Sequence, residues 1–163
     1  MKKFFYIIMI LFVTFASAKD TSHKKVSLDI SIPLLKSIES SAIRLGEGKT
    51  EVYVFLDPYC PHSQNFFEMI NESKKMQKKY SYHIFLYELK RMKSHEIIRD
   101  IYANNNLLLQ LQKLMVNKVN IPKTVKLNES IENKIETIEV IAKQLNVYKR
   151  PYLIMNKKRK SKK

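Results

Sequence analysis

Val52-Tyr53-Val54-Phe55-Leu56-Asp57-Pro58-Tyr59-Cys60-Pro61-His62-Ser63-Gln64-Asn65-Phe66-Phe67 is the stretch whose reading decides the fold. Its first five residues are apolar and β-prone, and the turn-forming pair Asp57-Pro58 stops them. Cys60 follows, and Pro61 opens a helical pattern. Proline suits a first helical position, because the N–H it lacks would have no intrahelical partner. Strand, turn, cysteine, helix sets the sulfur beside the free N–H groups of a helix start, where the macrodipole favours negative charge. His62 adds a cation when protonated. Helix N-termini and neighbouring cations are what make a cysteine reactive, so the segment predicts a nucleophilic thiol at Cys60. An inertly buried cysteine is the plainer alternative. For His62 that alternative is an exposed polar residue of the first turn; for Ser63 it is a helix cap or a hydrogen bond to the sulfur.

Working outward, the 163 residues suffice for one domain with a core. Residues 1–18 have the form of a secretory leader: Lys2 and Lys3, an apolar run from Phe4 to Phe15, then Ala16-Ser17-Ala18. The mature chain is expected to start near Lys19, in the periplasm. Cys60 is the only cysteine, so the chain holds no internal disulfide. The net charge is +15. Two of those charges belong to the leader and six to the tail at 157–163, which leaves +7 for the body. The tail has no aromatics, and the leader directs export, so nucleic acid is not an expected partner. An anionic membrane surface or acidic partner suits the tail better. His23, His83 and His95 lie scattered, without carboxylates or a cysteine at ligand spacing, so no metal and no cofactor are expected. No Ser/His/Asp signature or glycine-rich phosphate loop is present.

Val26, Leu28, Ile30 and Ile32 alternate with polar residues and predict a strand that Pro33 ends. Leu34, Leu35, Ile38, Ala42 and Leu45 predict a helix running to Gly46, so 19–49 reads as a strand–helix segment. Phe66, Phe67, Ile70 and Met76 carry the helix that starts at Pro61, with Lys74, Lys75, Lys78 and Lys79 on its solvated face. Residues 81–89 predict a second strand, parallel to the Val52 strand across a β–α–β crossover. Two helical patterns follow, separated at Asn104-Asn105-Asn106, and then a longer helix over 129–145.

The run Phe55-Leu56-Asp57-Pro58-Tyr59-Cys60-Pro61-His62 resembles the active-site segment of periplasmic thioredoxin-fold proteins, above all the DsbC/DsbG-type disulfide isomerases, whose pattern is an apolar strand and then D-P-x-C-P-x-C. The Pro-His pair is more like that of the DsbA-type oxidases. Ser63 stands where the family has its second cysteine, giving a monothiol C-P-H-S motif. Ala142-x-x-Leu145-x-Val147, followed by Arg150-Pro151-Tyr152-Leu153-Ile154, resembles the thioredoxin segment leading to the cis-proline. The resemblance makes Pro151 that proline, with Arg150 in place of the usual small or hydroxylated residue.

The resemblance implies an α/β, thioredoxin-like fold over 50–156: a central mixed sheet flanked by helices, with a helical insert between Ser94 and Asn117. The family's final strand and closing helix have no counterpart. It further implies Cys60 as nucleophile, tuned by His62 and Ser63, and Pro61, Arg150 and Pro151 as the substrate-binding rim. Substrates would be cysteine-containing proteins, with an external thiol as possible reductant. Ser63 cannot resolve a mixed disulfide, so release needs a thiol of the substrate (isomerisation) or from outside (reduction). A non-catalytic thioredoxin-like binding module of an envelope or secretion assembly is the other reading. The isomerases dimerise through a separate N-terminal domain, for which 19–49 is too short; a monomer is expected.

Overall fold

The computed structural model describes residues 24–123 and 128–156. The expected leader (1–18) and basic tail (157–163) lie outside the described residues.

The Val52 run forms strand β2, Thr50–Leu56, and the aromatic run after the lysines forms β3, Tyr80–Leu86. The last five residues of each are buried without alternation, as expected of central strands covered on both faces. They pair in parallel, from Thr50 opposite Tyr80 to Leu56 opposite Leu86. A short strand β1, Ile43–Leu45, joins β3 antiparallel. Strand β4, Tyr152–Asn156, joins β2 antiparallel, so the order is β1-β3-β2-β4. Strand β4 is outermost among the described residues.

The first segment differs from expectation. Residues 26–32 are not a strand: helix α1 spans Leu28–Ser37 and contains Pro33. The alternating apolar residues Leu28 and Ile30 are exposed, while Ser31, Leu35 and Ile38 are the buried set. Those three lie at helical spacing, and the Ser31 hydroxyl donates to Ser27 O at 2.8 Å, one turn back. An interior proline costs a helix about 3 kcal/mol; burying Leu35 and Ile38 contributes roughly 1.5–3 kcal/mol each, enough to offset it. The expected helix over 34–45 also ends early, passing through a 3-10 turn at Glu39–Ser41 into β1. The connection from β1 to β2 then presses on the turn before β3. Gly46 has φ +82, and a Cβ there would lie 2.5 Å from Tyr80 O; one on Gly48 would overlap the Lys79–Tyr80 peptide.

Pro61 opens α2, Pro61–Glu72, but the helix does not run on to Met76 as one piece. Ser73 ends it and caps α3, Lys74–Lys79, by accepting from Met76 N. All four lysines of that stretch are exposed. Phe66 of α2 stands edge-on to Tyr82, ring centres 6.4 Å apart. The helical insert is α4, His95–Tyr102, and α5, Leu107–Met115, broken at the three asparagines as the sequence predicts. Helix α6, Glu129–Gln144, buries Ile131, Ile135, Ile138, Ile141 and Ala142. Its start is capped by the Asn128 side chain, which accepts from Ser130 N at 3.0 Å.

Candidate active site

Strand β2 ends at Leu56, and the next four residues make the turn into α2. Cys60 N donates to Asp57 O at 3.1 Å, which closes the turn. Cys60 is the N-cap of α2 in extended conformation, with Pro61 at the first helical position. Its thiol faces the segment before β4 and donates to the Arg150 carbonyl, with the sulfur 3.9 Å from that oxygen. The Arg150–Pro151 peptide bond is cis. Cys60 exposes only 1% of its surface.

Asp57 holds the turn from beneath. It is fully buried, and Oδ1 accepts from Tyr59 N at 2.9 Å. Oδ2 accepts from Leu89 N and, at 2.8 Å, from the Ser94 hydroxyl. Its own N–H donates to Ser63 Oγ at 3.2 Å. Ser63 is therefore a buried brace between helix start and turn. A buried carboxylate is tolerable only when its oxygens are so occupied.

Arg150 is the second clasp. Its guanidinium exposes little surface and donates to four carbonyls: Nε to Tyr87 O at 2.9 Å, Nη2 to Glu88 O at 3.2 Å, and Nη1 to Val147 O at 3.3 Å and Lys149 O at 2.9 Å. It also stacks on the Tyr87 ring, 3.8 Å from its centre. Burial lowers the Arg150 pKa from its ordinary value, opposed by Tyr87 and by the negative ends of Asp57 and Cys60. Tyr87 N donates to Leu56 O at 2.8 Å, so the clasp continues the β2–β3 ladder.

The fold thus brings Cys60, Ser63, Arg150 and Pro151 together, and leaves Pro61 and His62 at the exposed surface of the first turn of α2. Tyr59 is exposed beside them. Two roles were hidden in the sequence. Asp57 reads there as a turn former, whereas here it ties the β2–α2 turn to the loop after β3. Arg150 reads as a departure beside a proline, whereas here it is the buried cation nearest the site. The neighbouring Asp57-Pro58 pair and the X-Pro position were the available signals; their partners at Leu89, Ser94, Tyr87 and Glu88 follow no local spacing.

Neither a known family profile nor a curated protein sequence matches this chain. Solved structures do share its architecture. Proteus mirabilis ScsC in a transitional conformation superposes with a TM-score of 0.65 at 13% identity, over 82% of this chain and 73% of that one. A periplasmic thioredoxin-like protein from Salmonella enterica serovar Typhimurium gives 0.63 at 19%, over 81% and 86%. Helicobacter pylori DsbG gives 0.61 at 16%, over 78% of this chain and 61% of that one. At these identities the likeness carries the fold. The chain is thioredoxin-like, a mixed four-stranded sheet with helices packed around it.

Proposed function

We propose that this chain is a periplasmic disulfide-exchange protein of isomerase or reductase type that works through the single thiol of Cys60. The observation that carries the reading is the sulfur's setting, at the N-cap of α2 and 3.9 Å from the carbonyl before the cis-proline. The N–H groups of the helix start and the buried Arg150 guanidinium supply positive potential there. His62 adds charge at the rim when protonated, and Ser63 keeps the turn in place. Pro61, Arg150 and Pro151 form the groove for an extended substrate peptide.

In the first step the Cys60 thiolate attacks one sulfur of a substrate disulfide. That S–S bond breaks, a mixed disulfide forms, and the released substrate thiolate takes a proton from water. A second substrate thiol then attacks the mixed disulfide and frees Cys60, so pairing changes and net oxidation state does not. If an external thiol instead attacks the Cys60 sulfur, the substrate leaves with both cysteines as thiols, and a second external thiol then attacks the new mixed disulfide, freeing Cys60 and leaving the external pair as a disulfide. Residues 1–18 serve as the export leader, 19–49 as an N-terminal segment, 50–156 as the thioredoxin-like domain, and 157–163 as a basic tail toward anionic lipid. The protein works as a monomer on cysteine-containing proteins. One of the similar structures is that of a periplasmic thioredoxin-like protein, which supports the location.

One observation favours a second reading, a binding module that does no chemistry: Cys60 is almost fully buried, and reactive cysteines are partly exposed. The mature protein and its Cys60→Ser variant, incubated with scrambled ribonuclease and glutathione, separate the two. Exchange predicts recovery of ribonuclease activity and a trapped mixed disulfide, both lost in Cys60→Ser. If Cys60 is alkylated only in denaturant and no mixed disulfide forms, the binding module stands.

A further inference from the structure

The parallel pairing of β2 with β3 places Tyr53 opposite His83, and β1 places Arg44 on the other side of His83. Glu51 lies two residues before Tyr53 on the same face. Glu39, from the 3-10 turn ahead of β1, reaches over the same spot. Ligand atoms of Glu39, Glu51 and His83 all lie within 4.8 Å of one another. Residues 12 and 32 apart in sequence so meet at the base of the sheet, about 17 Å of strand from the end of β2 that leads to Cys60.

Two buried polar atoms here lack hydrogen-bond partners. His83 is 2% exposed, and its Nδ1 faces Glu39 Oε1 at 3.2 Å without hydrogen-bonding geometry. The Tyr53 hydroxyl is fully buried and equally unpartnered, with its ring stacked on His83 at 4.8 Å between centres. The Tyr53 pKa is pushed up to about 12, first by burial and then by Glu51 and Glu39, which puts the phenol in the field of the same carboxylates. Burial also pushes His83 below its ordinary value, against the pull of Glu39. An imidazole binds metal through a ring nitrogen left free by its other contacts, as Nδ1 is here. Each carboxylate has a donor: Arg44 donates to Glu39 Oε1, the oxygen that also faces His83, at 2.9 Å, and Asn156 donates to Glu51 Oε2 at 2.7 Å. Outer partners of this kind orient ligands.

We propose that Glu39, Glu51 and His83 bind a divalent cation of the zinc type, with water completing the shell. One nitrogen and two carboxylate oxygens suit zinc, which sits about 2.0–2.2 Å from each. The half-buried glutamates have the freedom to close that distance, and the hollow in front, lined by Lys36, Lys49, Ser81 and Asn156, gives the ion its path. Lys36, Arg44 and Lys49 line the same hollow and oppose a cation, which lowers the affinity. No electron transfer is involved; the ion fastens the 3-10 turn and β1 to the core strands.

The test is calorimetric titration of the mature protein with zinc chloride to about 100 μM, alongside Glu39→Gln, Glu51→Gln and Cys60→Ser. The expected result is one equivalent bound, at least tenfold weaker in each glutamine variant and unchanged in Cys60→Ser. Zinc should also raise the melting temperature of the wild type and not of Glu39→Gln. Melting in EDTA verifies that the variants fold, and either glutamine variant alone suffices. No saturable binding, equal binding in a folded glutamine variant, or loss of binding in Cys60→Ser overturns the proposal.

Discussion

Past the last residue of β2, Asp57 has each carboxylate oxygen on a donor, and Arg150 has its guanidinium on four carbonyls. Near the first residues of the same strand, the buried Tyr53 hydroxyl and His83 Nδ1 have no hydrogen-bond partner. Both ends bury ionisable groups against the same two strands, yet only the Cys60 end is satisfied. A satisfied buried network rigidifies its surroundings, whereas each unpaired buried group costs about 1–3 kcal/mol. The turn that carries Cys60 is thus held as fixed scaffolding, while the base of the sheet stores a cost that binding can relieve.

Substitutions can break this contrast. Arg150→Met should have the largest effect, about 3–5 kcal/mol of stability in urea unfolding, because it strands four carbonyls and a stacked ring. A loss under about 1 kcal/mol would mean that water takes over the clasp. Asp57→Asn presents an amide N–H to Leu89 N or to Ser94, and should cost about 2 kcal/mol by the same measurement. Ser63→Ala leaves the buried Asp57 N–H unpaired, with an expected cost of about 1 kcal/mol.

At the opposite end, His83→Phe removes an imidazole that has no hydrogen bond at Nδ1 to lose and keeps a ring against Tyr53; its stability at pH 8 should stay within about 1 kcal/mol of wild type. The pH dependence sharpens the contrast. Burial lowers the His83 pKa in the folded state, so below about 6.5 the unfolded chain binds the extra proton first. Wild-type stability should therefore fall as pH drops through that value toward the folded-state pKa, and His83→Phe should remove that share of the fall. Identical pH profiles for the two proteins would show that His83 titrates in the fold as it does in the unfolded chain.

What the sequence made legible was local. The apolar run, Asp57-Pro58 and Pro61 each act within a few residues, so β2, the turn and the start of α2 could be read directly. The isoleucine spacing of α6 and the asparagine break before α5 are equally local. Helix α1 was misread because its exposed residues, Leu28 and Ile30, carry the apolar signal while a serine faces inward. Strand β1 has three residues, too few for any period, and its Leu45 falls by coincidence on the helical spacing of Ile38 and Ala42. Arg150 over Tyr87, and Glu39 beside His83, depend on loop packing and strand register, which no spacing along the chain encodes.

The two glycines yield a consequence for mutational tolerance. They are the only glycines of the chain, and both stand in the elbow between β1 and β2, where backbone meets backbone. In a library that samples every residue at every position, columns 46 and 48 should be nearly empty of survivors, while columns 74, 75, 78 and 79 accept most polar replacements. A map of tolerated change would thus mark the elbow as sharply as the cysteine.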